Sequence, residues 1–165
     1  KGRSWFVQAL WFALMYVAFY PWFIPRRFRP WLLRRFGAEV GESVFIRHKV
    51  RVLWPWKLVI GSHSWIGEGV WFLNLEPVRI GSNVCVSQEA FICTGSHDYR
   101  RADFGYQNQP IEVSDGAWIC ARAILLPGSS VGLCSVVGAG EILRGHLPDL
   151  KLLSGGTQTP VPNPT

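Results

Sequence analysis

From Val40 to Leu143 an aliphatic or aromatic side chain recurs every six positions within successive groups of three, and nothing else in this chain restricts its fold so strongly. The groups are Val40, Ile46, Val52; Ile60, Ile66, Phe72; Ile80, Val86, Ile92; Val113, Ile119, Leu125; and Val131, Val137, Leu143. Glycine follows at Gly41, Gly61, Gly67, Gly81, Gly132 and Gly138, where a corner between strands calls for a permissive backbone. Four residues after the aliphatic position stands a small or β-branched residue: Val44, Val50, Ser64, Val70, Val84, Ala90, Ser96, Ala117, Ala123, Ser129 and Ser135. Both columns point into a narrow core. Three short strands per turn, each coil burying its apolar edge only by stacking on the next, define a parallel β-helix. Ordinary buried strands of a sandwich have no need of so many in-phase repeats.

After Ile92 the next repeat is due at position 98, but the register resumes at Val113, so 15 residues are inserted as one loop, 98–112. A long insertion in a regular solenoid is the place where stacking does not dictate the chain, and hence a candidate functional element. Gly95-Ser96-His97-Asp98-Tyr99 opens it. An imidazole there, with an ordinary pKa near neutrality, suits proton transfer. Adjacent side chains of an extended loop point apart, which weighs against Asp98 orienting His97.

Outside the repeats, the formal charge of +6 is unevenly placed. Residues 1–36 hold seven bases (Lys1, Arg3, Arg26, Arg27, Arg29, Arg34, Arg35) and no acid, so the rest of the chain is nearly balanced. No basic stripe follows the coils, and nucleic acid is not expected as a partner. From Trp5 to Ile24 the chain is apolar except for Gln8 and Pro21. That length of about 20 residues could span a bilayer, yet the density of Trp, Phe and Tyr and the arginine cluster that closes it suit an interfacial helix. Three readings stay open for residues 5–35: packing on the β-helix or a neighbouring subunit, lying in a membrane surface, or crossing it. No small-residue cleavage site follows. Cys85, Cys93, Cys120 and Cys134 match neither a CxxC pair nor a zinc ribbon and read as reduced thiols of a cytoplasmic protein, membrane-associated if the amino-terminal segment lies on a bilayer. The chain therefore divides into an aromatic, basic helical segment (1–37), a β-helix (38–148) and a tail (149–165) whose Gly, Thr and Pro predict irregular structure.

The segments Pro55-Trp56-Lys57-Leu58, Ser64-Trp65-Ile66-Gly67-Glu68-Gly69-Val70-Trp71, Asn74-Leu75-Glu76-Pro77-Val78, Thr94-Gly95-Ser96-His97-Asp98-Tyr99 and Asp115-Gly116-Ala117-Trp118-Ile119 resemble the hexapeptide-repeat acyltransferases. The nearest resemblance is to sugar O-acetyltransferases of exopolysaccharide synthesis, of the colanic-acid type, and it covers residues 31–148. It implies a left-handed β-helix, a homotrimer with active sites between subunits, and direct acetyl transfer from acetyl-CoA to a sugar hydroxyl of an exopolysaccharide or lipid-linked glycan precursor. In that family pattern His97 is the general base. Asn74 meets the acceptor sugar, with Trp71, Tyr99 and Asp98 on the substrate side. Coenzyme A lies in a groove lined by Trp118, Cys120, Ala121, Gly138 and Ala139, with Arg144 toward its phosphates. Blander roles remain open: a turn cap for Asn74, subunit contacts for Trp71 and Tyr99, and small corner residues for Ala121, Gly138 and Ala139.

The chain also departs from the family pattern. Glu141 falls in the small inward column, where a carboxylate must turn out or find a partner. Gly145 replaces an expected Lys, and Gly155-Gly156-Thr157-Gln158 replaces the usual Gly-Asn-Pro-Ala. Zinc chemistry of the γ-carbonic anhydrase type, on the same fold, would need a second histidine soon after His97, and position 102 is Ala; no metal is expected. Two alternatives stand beside the glycan acetyltransferase: the same chemistry on a free sugar, an antibiotic or another small alcohol, or a non-catalytic β-helix scaffold.

Overall fold

The computed structural model describes residues 2–25 and 27–161. Lys1 and Arg26 of the basic segment and residues 162–165 of the tail lie outside the described residues. The repeats form a left-handed parallel β-helix of six coils. Coil one carries β1 (Glu39–Val40), β2 (Phe45–Ile46) and β3 (Arg51–Val52). Coil two carries β4 (Leu58–Ile60), β5 (Trp65–Ile66) and β6 (Trp71–Leu73), and coil three β7 (Val78–Ile80), β8 (Cys85–Val86) and β9 (Phe91–Cys93). Coil four follows with β10 (Ile111–Val113), β11 (Trp118–Ile119) and β12 (Ile124–Leu125), and coil five with β13 (Ser130–Val131), β14 (Val136–Val137) and β15 (Ile142–Leu143). Coil six ends the solenoid with β16 (His146–Leu147) and β17 (Lys151–Ser154).

Each strand pairs in parallel with its counterpart one coil away, giving three faces: β1-β4-β7-β10-β13-β16, then β2-β5-β8-β11-β14-β17, then β3-β6-β9-β12-β15. The register sets Ile60 on Ile80, Ile66 on Val86 and Phe72 on Ile92, so the six-residue period becomes three buried columns. Burying each such side chain contributes about 1.5–3 kcal/mol before chain entropy is counted. Inward serines are satisfied between coils: Ser64 Oγ donates to Gly81 O at 2.8 Å and Ser135 Oγ to Pro148 O at 2.6 Å.

The corner glycines serve a different purpose from the one their position suggests. Gly41, Gly61, Gly67, Gly81, Gly132 and Gly138 do not have positive φ. A Cβ at Gly67 would instead fall 2.7 Å from Gln88 N, and one at Gly41 2.6 Å from Ser62 N, because the next coil passes directly over them. The left-handed conformation occurs two residues later, at Ser43, His63, Gly69, Asn83, Glu89 and their equivalents. Close approach of backbones, rather than conformational freedom, selects these glycines.

The corner between the third and first faces is irregular. From aliphatic to aliphatic the chain takes eight residues there in coils one and two (Val52 to Ile60, Phe72 to Ile80) and 21 in coil three (Ile92 to Val113). It takes six in coil four (Leu125 to Val131) and four in coil five (Leu143 to Leu147). This edge therefore bulges at the third coil and recedes below it.

Helices α1 (Trp5–Ala18) and α2 (Phe28–Arg35) close the open end of coil one. Trp11, Met15, Ala18 and Phe19 are buried, and Trp11 Nε1 donates to Val52 O at 2.8 Å. Lys49 N donates to Phe19 O at 2.7 Å, as Gly69 N does to His48 O one coil on, so Phe19 stands where a preceding coil would be. Arg29, one of the seven bases of the amino-terminal segment, is 3% exposed and clasps Pro21 O at 2.5 Å and Ile46 O at 3.5 Å. Burial, with Arg47 nearby, lowers its pKa from the ordinary arginine value. Among the described residues no helix is long and apolar enough to cross a membrane.

From residue 149 to 161 the tail is regular rather than irregular. β17 pairs antiparallel with β18 (Thr157–Pro160) through the two-residue turn Gly155-Gly156, both at positive φ, as a tight hairpin of primed type requires. Glu141 explains itself here: its carboxylate accepts from Gly155 N at 2.5 Å and Gly156 N at 3.3 Å. The two departures from the repeat pattern are thus one interaction.

Candidate active site

The inserted segment leaves the solenoid after Cys93 and rejoins it at Ile111, so 94–110 is the excursion and 111–112 already belong to β10. It folds back on itself. Gln107 N donates to Ser96 O at 2.8 Å, Asp98 N to Gly105 O at 2.9 Å, and His97 bridges Tyr106 in antiparallel fashion. At the root, Thr94 Oγ1 accepts from Glu76 N at 2.9 Å and Asn108 Oδ1 from Ser96 N at 3.0 Å. Ser96 therefore belongs to the loop root and not to the inward column. Arg101 and Asp103 close the tip with bonds of 2.9 and 2.7 Å, and that guanidinium holds the Asp103 carboxyl below its ordinary pKa.

His97 is exposed, yet its ring is fixed. Nδ1 lies 2.8 Å from Phe104 O, and the ring lies against Phe104 at 4.9 Å and Tyr106 at 4.8 Å between centroids. A carbonyl can only accept, so in the neutral ring the proton sits on Nδ1 and Nε2 carries the free lone pair. Phe104, at φ 49°, turns its carbonyl toward the ring from the left-handed region. Asp98 is not the orienting group: its Oδ1 accepts from Arg100 N at 3.1 Å, in a local turn.

Two side chains expected toward the substrate are engaged within the chain. Asn74 is fully buried, with Nδ2 donating to Trp54 O at 2.6 Å and Oδ1 accepting from Trp54 N at 3.0 Å, so within the chain its amide ties coil two to coil one. Trp71 stands in a ladder between Arg51 (4.1 Å) and Phe91 (4.7 Å), and both neighbouring coils cover its ring. Tyr99 is exposed beside Arg100 near the loop tip.

Below the loop root, where the corner recedes, lies a groove of about 350 Å³ lined by Gly95, Ser96, Gln107, Gln109, Gly128 and Arg144, among others. Gln107 and Gln109 were not evident from the repeat; they return along the second arm of the loop, where only their polar amides hint at a wall. Arg144 is thus brought to the same edge as the His97 loop. The remaining donor-side residues lie elsewhere. Trp118 projects from the second face, its Nε1 donating to Ser87 Oγ at 2.8 Å, while Cys120, Ala121, Gly138 and Ala139 lie at the corner between the second and third faces. Within one chain these five do not share an edge with His97. Burial, with Cys85 nearby, raises the Cys120 thiol above its ordinary pKa, and burial likewise raises Cys85. Among the described residues no group of three or more His, Cys, Asp or Glu side chains could hold a metal ion.

No family model matches the chain. The putative colanic acid biosynthesis acetyltransferase WcaF of Escherichia coli K12 is 36% identical over 144 residues, covering 87% of this chain and 76% of that protein. A galactoside O-acetyltransferase of Lactococcus lactis is 27% identical over 123 residues, 72% of this chain and 59% of that protein. Among solved structures, a hexapeptide-repeat acetyltransferase of Vibrio cholerae complexed with acetyl coenzyme A superposes with a TM-score of 0.84 at 22% identity, over 98% of this chain and 91% of that one. A galactoside acetyltransferase in complex with coenzyme A gives 0.84 at 21% identity, over 95% and 82%.

Proposed function

The chain belongs to the hexapeptide-repeat acetyltransferases, and from that membership we propose that it transfers an acetyl group from acetyl-CoA directly to a hydroxyl of an exopolysaccharide or lipid-linked glycan precursor. The observation that carries this reading is the fixed His97 ring, whose Nε2 is left free by the bond from Nδ1 to Phe104 O. Nε2 takes the proton of the acceptor hydroxyl as its oxygen bonds to the acetyl carbon. The imidazolium formed then gives that proton to the departing thiolate, so the base is restored and no acyl-enzyme is needed. Holding both reactants beside the ring supplies much of the rate.

The groove fits such a donor chemically. Gly95, Gly128 and Gly145 bring no side chain of their own into the groove, which leaves width for a pantetheine arm, and Arg144 supplies a cation for phosphate. Because Trp118, Cys120, Ala121, Gly138 and Ala139 lie on another edge, a site that uses them is complete only between two copies, and a homotrimer supplies that arrangement. The outward column of the second face, Phe45, Trp65, Cys85, Trp118, Val136 and Leu152, is apolar enough for such a contact. The four free thiols suit a reducing, cytoplasmic setting.

Thiol release from acetyl-CoA, measured with a panel of glycan precursors and free sugars, tests the proposal. His97→Ala should lower kcat about 10²–10⁴-fold with the KM for acetyl-CoA little changed. Turnover equal to wild type in His97→Ala would refute the role of the base, and turnover confined to free sugars would move the acceptor to that class.

A further inference from the structure

Helix α1 has more apolar surface than the chain covers. Its inner stripe packs on coil one, but Phe6, Leu10, Ala13, Tyr16, Val17 and Tyr20 follow the three- and four-residue spacing of a second face, and all are exposed. The turn beyond it presents Trp22 and Phe23, 78% and 69% exposed. A helix that is apolar all round is ordinarily buried on every side.

Charge decides among the occupants that could cover this face. Residues 1–36 contain no acid, and Arg3, Arg27, Arg34 and Arg35 of the same segment are exposed. Beside α2 a cleft of about 720 Å³ is lined by Arg27, Trp31, Arg34 and Ser43; Arg34 is anchored by donating to Val40 O at 2.8 Å and Gly41 O at 2.6 Å, so Arg27 and Ser43 supply the remaining donors beside its positive charge, and none of the four carries a carboxylate. A second copy of the same segment would bring like charges together. An anionic bilayer supplies an apolar phase for the aromatic face and counter-charge for the arginines, and Trp and Tyr partition to that boundary. With 14 residues α1 is about 21 Å long, too short for a bilayer core of about 30 Å, so it lies along the surface.

We propose that α1, the Trp22-Phe23 turn and the arginines of α2 form a docking surface for an anionic lipid bilayer. It rests on the amino-terminal segment alone and stands or falls separately from acetyl transfer.

Flotation of the full chain with phosphatidylglycerol-containing vesicles, against phosphatidylcholine vesicles, tests it. Two double variants accompany the wild type: Trp22→Ser with Phe23→Ser, and Arg27→Glu with Arg35→Glu. Binding should require the anionic lipid, weaken with salt, and fall at least about tenfold in each variant, while thermal melting and oligomeric mass stay unchanged. If one variant melts early, the other and the lipid comparison decide. Absence of binding to anionic vesicles at low salt, or binding that neither variant alters, would overturn the proposal. A changed oligomeric mass in the aromatic variant would overturn it too, assigning the face to contacts between copies.

Discussion

Asn74 and His97 show how residue type and residue role part company. Both are polar, both stand at the irregular corner, and the family pattern sends both toward the acceptor, yet one is fully buried and the other exposed. Asn74→Ala would leave Trp54 N without a partner and Trp54 O with Lys57 N alone, so the melting curve should report a loss of about 1–3 kcal/mol while the acceptor KM of the folded fraction stays near wild type. A raised KM with unchanged stability would return Asn74 to the substrate. The thiols make a second prediction. Burial raises Cys85 and Cys120, so their thiolate fraction at neutral pH is below that of an ordinary cysteine and grows only as pH climbs past the usual thiol range. Iodoacetamide at pH 7 should therefore label exposed Cys134 first, as read by mass spectrometry, and Cys120→Ser should retain acetyl transfer. Rapid neutral-pH labelling of Cys120, or an acetyl group trapped on it, would contradict direct transfer. The position of His97 at the loop entrance was legible in the sequence. Its orienting group was not, because a backbone carbonyl has no signature in residue type.

Among the elements, the coils were legible almost residue by residue, since a six-residue period can satisfy its apolar columns in few other ways. The reason for the glycines was misjudged. Sequence shows that a position wants no side chain, but not whether the cause is a left-handed turn or another backbone overhead. The two causes predict different costs. Gly67→Ala drives a methyl into the coil of Ser87 and Gln88, and should lose at least about 2 kcal/mol, whereas Gly140→Ala, at φ 71° with open space, should lose about 1 kcal/mol. Chemical denaturation of both variants checks the order; equal losses would mean that the coils yield at their corners. The carboxyl-terminal hairpin escaped notice because a Gly-Gly pair reads equally as a flexible tail or as a primed turn. What selects the turn is Glu141, a long way off in the chain, binding the two amides of the pair. The same corner that lengthens for the loop and shortens below it was visible in the spacing, but its meaning as a groove needed the stacking of coils.

At the scale of the whole molecule, the site residues fall into two groups on two edges of one prism. His97, Gln107, Gln109 and Arg144 share the irregular corner, while Trp118, Cys120, Ala121, Gly138 and Ala139 occupy the second face and its far corner. A single chain cannot close a site from both, so acetyl transfer as proposed draws the base and the Arg144 groove from one copy and the second wall of the donor site from its neighbour. Mixed assemblies test this most directly. His97→Ala removes the base, and Ala139→Trp, at an exposed position, fills the opposite edge; each variant alone should be inactive. Combined in equal amounts and reassembled, they should recover about a quarter of wild-type activity, the share of sites that draws an intact half from each variant. Mixed trimers, verified by native mass spectrometry, that remain as inactive as their parents would contradict a site built between copies.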